Sequence, residues 1–243
     1  MMPNWMDLDS FLLEVRIDPA VWELRPDYRA LLVVADGIIS GQGDHHVEEL
    51  LHDAEDRARD ALADRPVEEL AHVATWRDAY RSFGAKPQRT RNSLEALLRR
   101  ADTGLPRINQ LTDIYNAISV IHQIPLGGED LNRYVGPPRL IRANGTERFD
   151  TIEQGVEIVE HPEPGEVVWC DEVGVTCRRW NWRQTWRTRL QEDTTTALFI
   201  LDALEPKTDE ALLAAATDLI GHLNRLGSDV RTASRLISNQ KGA

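Results

Sequence analysis

The sequence predicts an α+β protein, a single domain over residues 1–243 in which a mixed or antiparallel sheet packs with helices. Three features lead there. Apolar residues recur at helical spacing between Val47 and Ile121, short apolar runs separated by turn residues follow from Leu140 to Leu201, and the tail from Asp209 returns to helical spacing. No internal repeat and no low-complexity linker divides the chain.

Taken in order, Phe11 to Ile17 reads as a half-buried strand on the alternation of Leu13, Val15 and Ile17, and Leu31-Leu32-Val33-Val34-Ala35 as a second strand closed by Asp36-Gly37. Leu50, Leu51, Ala54, Ala58 and Leu62 share one helical face. Pro66 interrupts it and suits the first turn of a second helix running to Tyr80. Asn92 or Ser93 caps a helix through Leu94, Leu97 and Leu98, and Ile108 to Ile121 is the strongest helix in the chain. Pro125-Leu126-Gly127-Gly128 reads as a turn with exposed backbone N–H groups. Asn144-Gly145 signals a hairpin between Leu140–Ala143 and Thr146–Phe149. Strands follow at 157–159, 166–169, 173–178 and 197–201, with the turn Pro162-Glu163-Pro164-Gly165 between the first two. Helix covers 209–226, with a second helical piece at 228–237.

Composition excludes several function classes. No apolar run approaches the roughly 20 residues of a membrane span, and the opening MMPNWMDLDS lacks the order of a secretory leader, so no membrane partner and a cytoplasmic location are expected. Cys170 and Cys177 have no zinc-type spacing and read as buried small hydrophobes. The seven histidines are scattered, so neither a metal nor another cofactor is expected. No phosphate loop, nucleophile elbow or dinucleotide fingerprint occurs, which removes nucleotide hydrolysis and redox chemistry.

The net charge of −12 disfavours a polyanion partner, yet the charge is segregated. Arg77 to Arg107 holds eight basic and three acidic residues, and Arg178 to Arg189 holds five arginines and no acid. The blocks make either a basic face on an acidic body or solvated networks with nearby carboxylates. In the second block Trp180, Trp182 and Trp186 alternate with arginines. That spacing fits rings that stack on single-stranded bases, or the inward face of one strand. Asp113 and Asn116 lie three apart on the predicted helix. They either hydrogen-bond the following Gly-rich turn or mark a small-ligand pocket.

The run from Ile108 to Asn116, with Asp113-x-x-Asn116, then Pro125-Leu126-Gly127-Gly128-Glu129-Asp130 and Thr194-Thr195-Thr196 before Ala197-Leu198-Phe199-Ile200, resembles the editing module of the phenylalanyl-tRNA synthetase beta subunit. The resemblance is strongest over 81–204, with 205–243 a helical tail. Trp76 to Gly84, Gly165-Glu166 and Arg179-Trp180-Asn181-Trp182-Arg183 look more like freestanding relatives of that module. It implies a deacylase acting in trans on mischarged aminoacyl-tRNA, with the aminoacylated 3′ end as partner and no DNA. Two alternatives accompany it, a non-catalytic tRNA- or RNA-binding module and a pocket protein for a free amino acid. On that reading Gly127 and Gly128 supply backbone donors, Asn116 and Asn181 orient substrate, and Glu166 or Asp130 orients water. Lys86, Arg89, Arg178, Arg179 and Arg183 hold the acceptor end, with Trp180 in the same segment. One departure is explicit. Gly127 stands where the synthetase turn carries a histidine, implying a reshaped pocket or lost hydrolysis.

Overall fold

The computed structural model describes residues 7–41 and 43–239. The first six residues of the opening read for a leader lie outside the described residues. In chain order the elements are α1 (Leu8–Glu14), β1 (Arg16–Ile17), α2 (Pro19–Leu24), β2 (Arg29–Asp36), α3 (His45–Leu62), α4 (Ala71–Ser82), α5 (Ser93–Leu98), α6 (Gln110–His122), β3 (Leu126–Asp130), β4 (Arg139–Arg142), β5 (Phe149–Glu153), β6 (Val156–Glu160), β7 (Val167–Cys170), β8 (Val175–Arg178), β9 (Arg183–Gln184), β10 (Thr196–Ala203), α7 (Asp209–Leu223) and β11 (Arg231–Ser238). The fold is α+β. Three sheets are present among the described residues, ordered β11-β2-β10-β3, β1-β4-β7-β8-β9 and the hairpin β5-β6.

The four-stranded sheet is antiparallel and apolar on both faces. Leu31, Val33 and Ala35 of β2, with Ala197, Phe199 and Leu201 of β10, face a core built with α3, α5, α6 and α7. Ala30, Leu32, Val34, Leu198 and Ile200 face the other way, into a second core with Leu140 of β4, Val167 and Trp169 of β7, and Trp76 and Trp180. Burial on both faces explains why β2 and β10 read as unbroken apolar runs rather than alternations. Helix starts follow capping chemistry: Asp44, Asn92, Asn109 and Thr208 each accept from a backbone N–H of the first turn.

Four expectations are corrected. The segment 11–17 is mostly helix, because Leu8, Phe11 and Leu12 make one buried helical face while Leu13 is exposed; only Arg16–Ile17 pairs, with β4. Pro125–Gly128 is not a turn, since β3 pairs with β10 from Leu126 to Asp130. The Asn144-Gly145 segment does not close a hairpin, since β4 pairs with β7. The hairpin is β5–β6, turned by Gln154 and Gly155 at φ of 51° and 82° as a tight two-residue turn requires. The piece at 228–237 is not helix but β11, the strand that covers β2.

Candidate functional site

Beside β3 a cavity of about 230 Å³ lies between α5, α6, the end of β10 and the segment joining β8 to β9. The β3–β10 register puts Glu129 opposite Leu198 and Gly127 opposite Ile200, so Glu129 and Gly127 share one face and both reach the cavity. Helix α6 contributes Tyr115 and Asn116, α5 contributes Ser93, Ala96 and Leu97, and Trp169, Trp180 and Trp182 complete an aromatic wall.

The turn after β8 places the remaining side chains. Arg179 and Trp180 both take left-handed conformations, φ 48° and 67°, which cost non-glycine residues of order 1 kcal/mol each. Glu166 Oε1 accepts from the Arg179 N–H at 3.1 Å and the Val167 carbonyl from the Trp180 N–H at 2.6 Å, fixing the turn. It delivers Asn181 to the cavity floor. There its carbonyl accepts from the Tyr80 hydroxyl at 2.9 Å and its amide donates to Asp202 at 3.2 Å; Asp202 also accepts from Tyr28 at 2.6 Å.

Two buried carboxyl groups therefore face the cavity, Asp202 on β10 and Glu129 on β3. Burial pushes both up to about 7, against the stabilising hydrogen bonds from Tyr28 and Asn181 to the one and from Tyr134 and Thr188 to the other. Both exchange protons near neutrality, the property general acid–base chemistry requires. Cys177 also lines the cavity, but burial raises its thiol far from ionisation. Asn116 is buried. Among the described residues its side-chain amide has no hydrogen-bond partner, unlike Asn181.

The sequence-derived candidates divide. Asn116, Gly127 and Asn181 meet at the cavity, with Gly128 behind it. The Gly128 carbonyl accepts from Gln184 at 3.0 Å, and a methyl at Gly128 would strike Leu190, Phe199 and Tyr115. Asp113 does not hold the following segment, since it accepts from the preceding Ile108 N–H at 2.8 Å. Asp130 lies outside the cavity and accepts from Asn132 N–H and Thr194 Oγ1. Glu166 lies outside it too, in a two-pronged pair with Arg178 at 2.9 and 2.8 Å. Arg178 is buried on Glu166 and Glu160. Trp180 is not on a strand and is fully buried against Tyr28 and Trp76 at centroid distances of 4.8 and 5.3 Å, so its faces are closed to a base. Arg179 and Arg183 stack on the Trp182 ring at 4.4 and 4.8 Å. Arg179 also donates to Thr90, at the end of the loop that holds exposed Lys86 and Arg89. The sequence reading missed Glu129 and Asp202. An acid inside the apolar run Ala197–Ala203 was the available signal for Asp202.

The fold and site define an α+β protein with a partly closed, aromatic-walled cavity lined by two buried carboxyl-bearing residues. The B3/4 domain profile matches residues 75–221, and the chain belongs to that family, the phenylalanyl-tRNA synthetase beta-subunit family that the sequence resemblance implied. Comparison with curated proteins gave no match. Among solved structures, the chain is similar to an N-terminal fragment of the phenylalanyl-tRNA synthetase beta subunit from Pyrococcus horikoshii, with 12% identity and a TM-score of 0.44. That match covers 90% of this chain and 49% of the other, so the chain spans about half the length of that structure. Among the described residues no helix is long and apolar enough to cross a membrane.

Proposed function

We propose that the cavity receives the aminoacyl end of a mischarged tRNA and hydrolyses its ester in trans. The observation that supports this most directly is the Asn116 amide, which makes no hydrogen bond among the described residues and lines the cavity with Gly127 and Glu129. Ser93 Oγ, Trp169 Nε1 and Trp180 Nε1, on residues that line the same cavity, are buried without a partner among the described residues, a cost that a polar group of a ligand offsets. Glu129 in its ionised form takes a proton from water as the water attacks the ester carbonyl. The tetrahedral oxyanion draws on the Asn116 amide, and the leaving ribose oxygen recovers the proton from Glu129, giving free amino acid and uncharged tRNA. An ester is activated enough for this route without a covalent nucleophile. Arg179 on Trp182 and Lys86 and Arg89 on the neighbouring loop are the groups available to the terminal phosphates.

A panel of correctly and incorrectly charged tRNAs, incubated with the protein and scored for amino-acid release, tests this. At least one mischarged member is released, and Asn116→Ala slows that release by about 100-fold, the usual scale for one transition-state donor. No release from any member refutes the reading.

One observation favours a second reading, a pocket protein for a free amino acid. Much of the basic surface is already spent, with Arg178 and Arg183 on Glu160, Arg187 on Asp171, and Arg77, Arg91 and Arg99 gathered on buried Glu95. Binding of a free amino acid, indifferent to tRNA and to salt, would mark that alternative.

A further inference from the structure

Asn181 reaches the cavity already held at both ends of its amide. The Tyr80 hydroxyl donates to its side-chain oxygen at 2.9 Å, and its side-chain nitrogen donates to Asp202 Oδ2 at 3.2 Å. The main chain is held as well. The Asn181 N–H donates to the Arg179 carbonyl at 2.8 Å, and the Asn181 carbonyl accepts from the Ser93 N–H at 3.0 Å. An asparagine amide carries two hydrogens. Asp202 takes one, and the other is open to whatever enters the cavity that Asn181 lines.

The direction of that amide is dictated by its partners. Turning it over would set its oxygen against the ionised Asp202 carboxylate, two acceptors in contact inside the core. Asp202 is fixed in turn by Tyr28, whose hydroxyl donates to Oδ1 at 2.6 Å, so each of its oxygens already serves a neighbour. Glu129 is held differently, because Tyr134 and Thr188 both donate to a single oxygen, Oε2. Tyr28, Tyr80 and Asp202 are all buried. Tyr80 does not line the cavity, so its hydroxyl reaches a ligand only through Asn181.

We propose that Tyr80 and Asp202 are positioning residues that preset Asn181 as a single N–H donor aimed at an acceptor atom of the substrate. This rests on the aminoacyl-tRNA reading and adds to it a division between the two acids at the cavity: Glu129 moves the proton, and Asp202 holds the amide. A donor fixed before the substrate arrives loses no rotamer freedom on binding and needs no reorganisation as charge develops on the ester.

A double-mutant cycle tests this on a mischarged tRNA that the protein deacylates. Asn181→Ala and Tyr80→Phe each lower kcat/KM, Tyr80→Phe by about fivefold, the scale of one net hydrogen bond. Added to Asn181→Ala, Tyr80→Phe lowers it no further, and Asp202→Ala gives the same pattern. Losses that multiply overturn the inference, because Tyr80 or Asp202 would then act by a route other than Asn181. A second measurement needs no charged tRNA. It follows the Asn181 side-chain amide by NMR in isotope-labelled protein, assigned by its absence from Asn181→Ala, at about pH 8, above the value of about 7 to which burial raises Asp202. In the parent its signals lie away from those of a solvated asparagine, and in Tyr80→Phe, shown to be folded by a melting curve, they move toward them. Parent signals at the solvated position, or signals unmoved in folded Tyr80→Phe, overturn the inference; should Tyr80→Phe fail to fold, the parent signals decide. If mischarged tRNA is deacylated and the losses multiply, only this inference fails. If no charged tRNA is deacylated, the functional reading fails, and the amide signals alone judge whether Asn181 is preset.

Discussion

Adjacent glycines on β3 should respond oppositely to one added methyl group. A Cβ at Gly128 would lie 2.8 Å from Leu190 Cδ1, 2.9 Å from Phe199 Cε1 and 2.9 Å from Tyr115 Cδ1, all inside ordinary contact distance. Leu190 and Phe199 are buried, and Tyr115 packs edge-on against Phe199, so no neighbour can yield without moving another. Gly128→Ala is therefore an overpacking substitution costing about 1–3 kcal/mol, or roughly 2–12 °C of melting temperature for a chain of this size. At Gly127 the new Cβ meets only the Gln184 amide nitrogen, 3.0 Å away and at the end of a flexible side chain. Displacing it costs about one hydrogen bond, roughly 1 kcal/mol, offset by roughly 0.4–1 kcal/mol from a stiffer unfolded chain. Gly127→Ala should thus be near neutral in stability while its methyl enters the cavity and changes ligand affinity. Urea titration of both variants at equal m-value decides the matter. Equal destabilisation of the two, or a Gly128→Ala protein as stable as the parent, would show that β3 does not sit as described.

Two further outcomes follow from the buried charges. Arg178→Ala leaves the buried Glu166 carboxylate with only Arg179, at 3.6 Å, as a cation among the described residues and should cost about 3–5 kcal/mol, measured by chemical denaturation; Glu166→Gln with Arg178 intact should cost less, because Glu160 still pairs the guanidinium at 2.8 Å. Glu129 and Asp202 hold folded-state values of about 7 against about 4 in the unfolded chain, so the folded state binds the extra protons between those limits. Their contribution is fully present below about pH 4 and is lost as pH rises through about 7. Glu129→Gln should flatten that decline in a stability-versus-pH series, and an unchanged slope would remove Glu129 as its source.

From α3 onward the helices were legible, unlike α1, read as a strand, and α2, and the reason is local. Asn92, Asn109 and Thr208 cap neighbours within three residues, and the apolar face of Ile108–Ile121 sits within a single segment. The strands that went unread depend on distant partners. Val230 to Ser238 lacks a clean alternation and becomes β11 only because β2 offers it an open edge, and Gly127-Gly128 becomes strand only because β10 lies alongside. The site shows the same division. Asn116, Gly127 and Asn181, picked from local motifs, line one cavity, whereas Glu166, picked from the Gly165-Glu166 motif, and Arg178, picked from an arginine block, pair with each other, which neither signal distinguishes from an available charge. Trp180 alternates with arginines in sequence, yet two left-handed residues turn it into the core. Glu129 and Asp202 needed the β3–β10 register before they could be placed at one cavity.

That register also sets an order of events during synthesis. Within its sheet β2 touches only β10 and β11, whose first residues, Thr196 and Arg231, both pair with Asp36. β3 likewise waits for β10. Until β10 has left the ribosome, a nascent chain carries the apolar stretch Leu31–Ala35 without a strand partner, and afterwards one of its edges stays open until β11 arrives. Contacts this far apart in sequence close late and leave strand edges exposed to other chains meanwhile. Chains stalled between β3 and β10 should therefore be the aggregation-prone species, and the cavity, which needs both strands, cannot form before β10 emerges.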